Sequence, residues 1–157
     1  MARSTRATQA LDTLKIRYRL LTYDYDKNAG KIGLQAAGEM GVDPGRVFKT
    51  LMTLVDDKPV CVLVPSDREL SMKKLAQLIG GKSATMMPPP EAEKATGYVV
   101  GGISPLGRKK TSPVAVDELA LNYETIFING GGRGLQIEIE PAALIKALEA
   151  RVAALAA

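Results

Sequence analysis

The 157-residue chain has no histidine, no tryptophan and a single cysteine. Without an imidazole group, neither a Ser–His nor a Cys–His nucleophile pair can form, and histidine cannot serve as a general acid or base. A zinc ion would have only carboxylates and one thiol as ligands, which is a poor set for that metal. The absence of histidine therefore excludes several familiar hydrolytic mechanisms and argues against a zinc centre.

The single cysteine, Cys61, lies within the apolar run Val60-Cys61-Val62-Leu63-Val64. A lone thiol cannot form an internal disulfide, so the chain gives no sign of an oxidising compartment. A thiol buried among branched aliphatic side chains usually behaves as a small hydrophobic group with a raised pKa. We therefore predict a structural role for Cys61.

Long apolar segments are also lacking. No run approaches the roughly 18 apolar residues that a membrane-spanning helix needs. The N-terminal Met1-Ala2-Arg3-Ser4-Thr5-Arg6 is not followed by an apolar run, which argues against a secretory signal. We therefore expect a cytoplasmic protein without a membrane partner.

The composition is that of an ordinary globular protein, with 46% hydrophobic and 24% charged residues. The length suits one domain, and no linker composition divides it, so we predict a single domain over residues 1–157. The net charge of +4 permits a phosphate-bearing partner but does not demand one.

Local patterns predict short helices and short strands in irregular order, without a regular βαβ alternation. Helices are predicted from a cap at Ser4 or Thr5, over 30–41, 71–79 and 88–96, and from Pro141 through Leu155. Strands are predicted over 17–25, 51–55, 60–64, 84–87, 114–116, 125–128 and 136–140, the second and third forming a hairpin. The predicted class is α+β, a compact domain with a curved mixed sheet and peripheral helices.

Lys49 is the first candidate site residue, since it stands just before a predicted strand. An ammonium at such a boundary can hold a phosphate or a carbonyl, and a partly desolvated lysine can act as a base. The alternative is a solvated lysine at the end of a helix, where the helix dipole favours a positive charge.

The second candidate is the loop Gly101-Gly102-Ile103-Ser104-Pro105-Leu106-Gly107. Its glycines allow backbone N–H groups to approach a ligand closely, and its proline stiffens one side. The alternative is a simple tight connection. Arg108-Lys109-Lys110 follows at once and is either a solvated charge run or a contact for an RNA backbone.

A third candidate, Gly130-Gly131-Gly132-Arg133-Gly134, lacks the spacing of a dinucleotide-binding fingerprint and precedes a strand rather than a helix. We interpret it as a connection between strands that can also wall a pocket. From the residues alone, the sequence predicts a metal-free α+β domain with these candidates but no particular substrate.

Four segments together resemble the YbaK/EbsC family of aminoacyl-tRNA editing proteins: 21–24, 47–51, 96–107 and 125–138. The likeness covers nearly the whole chain, with the segments in the same order and at the spacing of the family. The resemblance implies a compact, mixed, barrel-like domain with surrounding helices. It also implies hydrolytic editing of misacylated tRNA without a metal or nucleotide cofactor. The YbaK branch of the family removes cysteine from proline tRNA, and a sister branch, resembling the insertion domain of bacterial prolyl-tRNA synthetase, removes alanine.

The resemblance also implies roles for individual residues. Lys49 would hold the terminal adenosine and its phosphate, and Gly101 and Pro105 would position the aminoacyl carbonyl through the loop backbone; these three are the predicted catalytic residues. The predicted substrate-binding residues are Tyr23, Gly102, Ser104, Asn129 and Gln136.

Asn129 and Gln136 depart from the pattern of the cysteine-specific branch, where serine and aspartate are expected. Both can still form hydrogen bonds, but Gln136 carries no charge. The departures leave substrate choice open between cysteine and another amino acid, such as alanine or serine.

The implied mechanism uses the substrate's own nucleophile. The cysteine thiolate attacks its own ester and closes a thiolactone, so the protein needs only to orient the ester and stabilise the oxyanion. This suits a chain without histidine. A further alternative is a non-catalytic module that binds tRNA or prolyl-tRNA synthetase. The expected partners are misacylated tRNA and the synthetase, which would supply tRNA specificity.

Overall fold

A computed structural model describes residues 4–26, 28 and 31–157. The helices are α1 (Arg6–Thr13), α2 (Ile32–Met40), α3 (Met72–Ile79), α4 (Pro89–Thr96) and α5 (Pro141–Leu148). The strands are β1 (Tyr18–Thr22), β2 (Phe48–Val55), β3 (Lys58–Pro65), β4 (Ala84–Met86), β5 (Val114–Asp117), β6 (Ile126–Asn129), β7 (Leu135–Ile139) and β8 (Arg151–Ala153). Two 3-10 turns cover Pro44–Arg46 and Glu118–Asn122.

The described strands form two sheets. A three-stranded antiparallel sheet has the order β1-β7-β6, and a five-stranded mixed sheet has the order β4-β2-β3-β5-β8. In the larger sheet β5 runs parallel to β3 and to β8. The predicted α+β class is confirmed. A closed barrel is not, because neither sheet closes on itself and a single bridge, Val47 to Phe127, joins them.

The predicted hairpin is confirmed, and it is longer than expected. Its register runs from Phe48 opposite Pro65 to Val55 opposite Lys58. The turn has only two residues, Asp56 and Asp57, with φ of +48° and +67°. Two positive φ values give the tight turn that matches the twist of antiparallel strands. The longer β2 places residue 49 inside a strand rather than before it.

Several helix ends lie where the sequence predicts them. Thr5 caps α1 through a reciprocal capping box with Thr8. Gly41, Gly80 and Gly97 end α2, α3 and α4 in the left-handed conformation. These caps fix where α1 begins and where α2, α3 and α4 end.

The predicted closing helix is wrong beyond Leu148. Glu149 adopts φ of +49°, and the chain then forms β8 beside β5. Leu155 is fully buried against the larger sheet, in a cluster with Leu75 and Val62. The apolar residues after Leu148 therefore belong to β8 and to the segment that follows it. Their spacing suits a helix, but pairing of β8 with β5 overrides that preference.

Cys61 lies in the main hydrophobic core with no exposed surface. Burial raises the pKa of its thiol to about 11. The predicted structural role of this cysteine is confirmed. In the part of the chain that the structure describes, no helix is long and apolar enough to cross a membrane.

Candidate functional site

A cavity of about 420 Å³ opens where the two sheets meet. Its walls come from the first half of β2, the start of α2, the segment from β4 into α4, the glycine–proline loop, and the facing ends of β6 and β7. Apolar side chains dominate the lining. The described lining residues that could bind a substrate through polar or charged groups are Lys31, Lys49, Thr50, Ser66, Glu69, Gly101, Asn129 and Gln136.

The structure brings together four of the predicted site residues, Lys49, Gly101, Asn129 and Gln136, which lie far apart in the sequence. The other four are not in the cavity lining. They are Tyr23, Gly102, Ser104 and Pro105. Their predicted roles stay predictions. Their contacts indicate how they could hold the cavity wall in place from outside the lining.

Lys49 lies within β2 and is not the solvated lysine of a helix end. Its side chain is 23% exposed, and its ammonium group lies 3.7 Å from the Glu69 carboxylate. The Lys31 ammonium lies 3.8 Å from the same carboxylate oxygen. Glu69 is largely exposed, so both ion pairs are weak and open to exchange with another anion. The site therefore presents two cations at one part of the cavity.

Sequence patterns did not indicate Lys31 or Glu69 as site residues, because each lies in a different surface segment and only the folded chain brings them to Lys49. Thr50 was also missed. Strict strand alternation would direct Thr50 away from the face that carries Lys49, yet consecutive residues 48–52 all line the cavity.

Gly101 and Gly102 are required for different physical reasons. Gly101 has φ of +92°, a conformation that L-residues with a side chain rarely adopt. Gly102 packs against the glycine-rich turn, where an added Cβ would lie 2.9 Å from the carbonyl carbon of Gly132. The Gly102 N–H already donates to the Val99 carbonyl at 2.8 Å. Oxyanion stabilisation by the loop would therefore have to come from its other N–H groups.

Ser104 and Pro105 take part in hydrogen bonds that hold the loop in place from outside the cavity lining. Ser104 is fully buried, and its hydroxyl accepts a hydrogen bond from the Leu106 N–H at 3.2 Å. The Tyr98 hydroxyl donates to the Leu106 carbonyl, and Arg108 Nε donates to the Pro105 carbonyl at 2.9 Å. Buried polar groups thus fix the shape of the loop, and its role in binding a ligand stays a prediction.

Arg108 is not part of a solvated charge run. Its guanidinium also donates to the Ser112 hydroxyl at 2.6 Å and to the Ser112 carbonyl. Lys109 and Lys110 are exposed at the C-terminal end of α4. Of this segment, only the two lysines are exposed charges, and a contact with an RNA backbone stays a prediction.

Asn129 connects the two glycine-rich segments. Its Nδ2 donates to the Gly101 carbonyl at 3.1 Å. Its Oδ1 accepts from the N–H groups of Gly131 at 2.8 Å and Gly132 at 3.2 Å. The side chain is at the end of β6, where the strand enters the glycine-rich turn, so one amide reaches both segments.

Three buried polar atoms of the described residues have no hydrogen-bond partner: the Tyr23 hydroxyl, Thr50 Oγ1 and Gln136 Oε1. Gln136 is only 2% exposed and lines the cavity, as Thr50 does. Burial raises the pKa of Tyr23, while the nearby Gly134 backbone and Gln136 side chain act in the opposite direction. Unpaired buried polar atoms are costly, so Thr50 Oγ1 and Gln136 Oε1, which both line the cavity, point to a polar ligand there.

Comparison with known proteins decides the family. The family model for the aminoacyl-tRNA editing domain matches residues 28–147 of this chain. The chain belongs to the aminoacyl-tRNA editing family. Its cavity is therefore the candidate active site of an editing domain, and the resemblance drawn from its sequence segments is confirmed.

Known relatives of this editing domain include a free-standing protein and part of a synthetase. The "Putative Cys-tRNA(Pro)/Cys-tRNA(Cys) deacylase EbsC" of Enterococcus faecalis is 35% identical over 143 residues, which is 90% of this chain and 86% of EbsC. The proline–tRNA ligase of Maridesulfovibrio salexigens is 38% identical over 95 residues, which is 60% of this chain but only 16% of the ligase.

A solved structure shares the fold over almost all of both chains. It is described as "a putative trans-editing enzyme for prolyl tRNA synthetase". The TM-score is 0.83 at 25% sequence identity, with 99% of each chain covered. The described residues therefore have the same overall fold as this solved structure.

Proposed function

We propose that the chain is an aminoacyl-tRNA deacylase that removes cysteine from misacylated Cys-tRNA(Pro) in trans, as one editing domain over residues 1–157. The observation that carries the proposal is the joint cavity of Lys49, Gly101, Asn129 and Gln136 in a chain of the editing family. The name of EbsC supports cysteine as the amino acid and proline tRNA as one carrier.

Lys49 and Lys31 would bind the phosphate of the terminal adenosine. Both already lie beside the Glu69 carboxylate, which occupies a place that a phosphate oxygen could take. Because Glu69 is largely exposed, its displacement requires little reorganisation. A phosphate held there would fix the end of the tRNA beside the apolar cavity.

The reaction then needs no histidine. The cysteine sulfur attacks its own ester carbonyl carbon, the carbon–sulfur bond forms, and the bond from that carbon to the ribose oxygen breaks. The thiol proton ends on the ribose oxygen, which frees the tRNA and leaves a thiolactone. The protein contributes orientation of the ester and stabilisation of the oxyanion by Lys49 and the backbone of the Gly101–Gly107 loop.

Gln136 and Thr50, which line the cavity, would recognise the aminoacyl and ribose groups, and Tyr23 would act through the Gln136 side chain beside it. Gln136 Oε1 is a hydrogen-bond acceptor without a donor among the described residues. The α-ammonium group or a ribose hydroxyl of the substrate would donate a hydrogen bond to it. A neutral amide binds a cationic ammonium less strongly than a carboxylate would. Because Gln136 stands where the cysteine-specific branch is expected to have aspartate, the second candidate is the editing of alanyl- or seryl-tRNA.

A synthetase partner would supply the choice of tRNA, as the similarity to part of a proline–tRNA ligase suggests. Co-migration of the chain with prolyl-tRNA synthetase on a sizing column tests this partner, and separate elution would remove it. Because its substrate is charged tRNA, we propose that the chain acts in the cytoplasm.

A panel of charged tRNAs tests the substrate. We expect the chain to release cysteine from Cys-tRNA(Pro) while Ala-tRNA(Pro) and Ser-tRNA(Pro) persist, because only the thiolate is a strong internal nucleophile. Release of alanine or serine instead would establish the second candidate. Salt-sensitive binding of tRNA with no release of any amino acid would show a non-catalytic binding module.

A further inference from the structure

We infer that Asn129 is a positioning residue that fixes the peptide between Gly101 and Gly102 for deacylation. This inference deepens the proposed function and rests on it. It assigns Asn129 an action through the loop backbone and not through hydrogen bonds to the substrate.

The orientation of the Asn129 amide follows from its partners. The Gly101 carbonyl can only accept, and the N–H groups of Gly131 and Gly132 can only donate. The Nδ2 group must therefore face Gly101, at 3.1 Å, and Oδ1 must face the turn, at 2.8 and 3.2 Å. The Asn129 side chain is almost completely buried, so these bonds form with little competition from water.

The Gly101–Gly102 peptide is held at both of its polar ends. Asn129 binds its carbonyl oxygen, and the Val99 carbonyl accepts its N–H at 2.8 Å. A free carbonyl at this wall of the cavity would repel the negative charge that develops on the ester oxygen. The Asn129 donor satisfies that carbonyl and sets the plane of the peptide.

The same side chain makes the loop and the glycine-rich turn move as one unit. Gly102 packs directly on the Gly132 backbone, and Arg133 Nε donates to the Val100 carbonyl at 3.1 Å. Asparagine is the residue that combines a donor for the loop with an acceptor for the turn at this length. Aspartate has no donor at neutral pH, and serine is too short to reach both segments at once.

The decisive variant is Asn129→Asp, compared with Asn122→Asp as a matched control. Asn122 is exposed and does not line the cavity. In Asn129→Asp a carboxylate faces the Gly101 carbonyl, so we expect kcat on Cys-tRNA(Pro) to fall about 10- to 100-fold. KM should change less than about threefold, because the loss lies in transition-state geometry. Asn122→Asp should leave both constants unchanged.

Amide hydrogen exchange tests the connection without reference to activity. In Asn129→Ala the Gly131 and Gly132 amides lose their acceptor, so we expect their exchange to be much faster than in the wild type. In Asn129→Asp the acceptor remains and these amides should stay protected. If Asn129→Asp does not fold, Asn129→Ser replaces it in the kinetic test, and because serine is too short to reach both segments we expect a similar fall in kcat.

The outcomes separate the inference from the proposed function. A wild-type chain that deacylates no charged tRNA removes the proposed function and the reaction that Asn129 would serve. An active wild type with folded Asn129 variants of unchanged kcat removes the inference alone. A loss confined to KM would mean that Asn129 contacts the substrate directly, and unchanged exchange in Asn129→Ala would overturn the connection itself.

Discussion

Gly102 shows how contact with a distant segment can require one residue type at a position. Its φ is not in the left-handed region, so the backbone does not require glycine there. The requirement comes from the Gly132 backbone, which leaves no room for a Cβ atom. The sequence indicated that this loop was special through its glycine and proline content, but the partner that demands glycine lies 30 residues away and is visible only in the fold.

Gly102→Ala should therefore destabilise the protein by about 1–3 kcal/mol, because the loop and the turn must move apart. Gly38→Ala is the matched control, since an added Cβ there meets open space within a helix. It should stabilise the protein by about 0.5–1 kcal/mol through higher helix propensity. Urea unfolding of both variants measures the difference, and shifts of the same sign would contradict this account.

At the scale of elements, the hairpin and the helix caps were predictable because their signals are local. Turn residues, N-caps and C-terminal glycines act within four or five positions of one another. The end of α5 was not predictable, since it depends on a distant partner. Buried Asp117 accepts hydrogen bonds from the N–H groups of Leu155 at 2.9 Å and Ala156 at 2.7 Å. These bonds hold the C-terminal segment extended.

Asp117→Ala should destabilise the protein by about 1–3 kcal/mol, because it leaves three N–H groups, those of Leu119, Leu155 and Ala156, without their acceptor. The Leu155 amide should then exchange faster with solvent than in the wild type. Glu118→Ala is the control, since its side chain is exposed at the next position. Equal stability of the two variants in thermal unfolding would show that Asp117 does not secure the C-terminal segment.

At the scale of the whole molecule, the cavity exists because two sheets meet beside α2 and α4. Resemblance to the family led to Lys49, Gly101, Asn129 and Gln136, and the fold brings these four together. Lys31, Thr50 and Glu69 could not be predicted, because their place depends on packing between segments that share no local pattern. The sequence could indicate a site residue only where the segment around it has an unusual amino-acid composition.

The central claim is that this cavity deacylates Cys-tRNA(Pro) with Lys49 as an essential group. The most direct measurement is the rate of cysteine release by Lys49→Ala, compared with Lys73→Ala, a change at an exposed lysine of α3 outside the cavity. We expect Lys49→Ala to lose about 100-fold or more in rate while it stays folded by circular dichroism, and Lys73→Ala to keep nearly full activity. Wild-type rates in Lys49→Ala, or equal losses in both variants, would contradict the account.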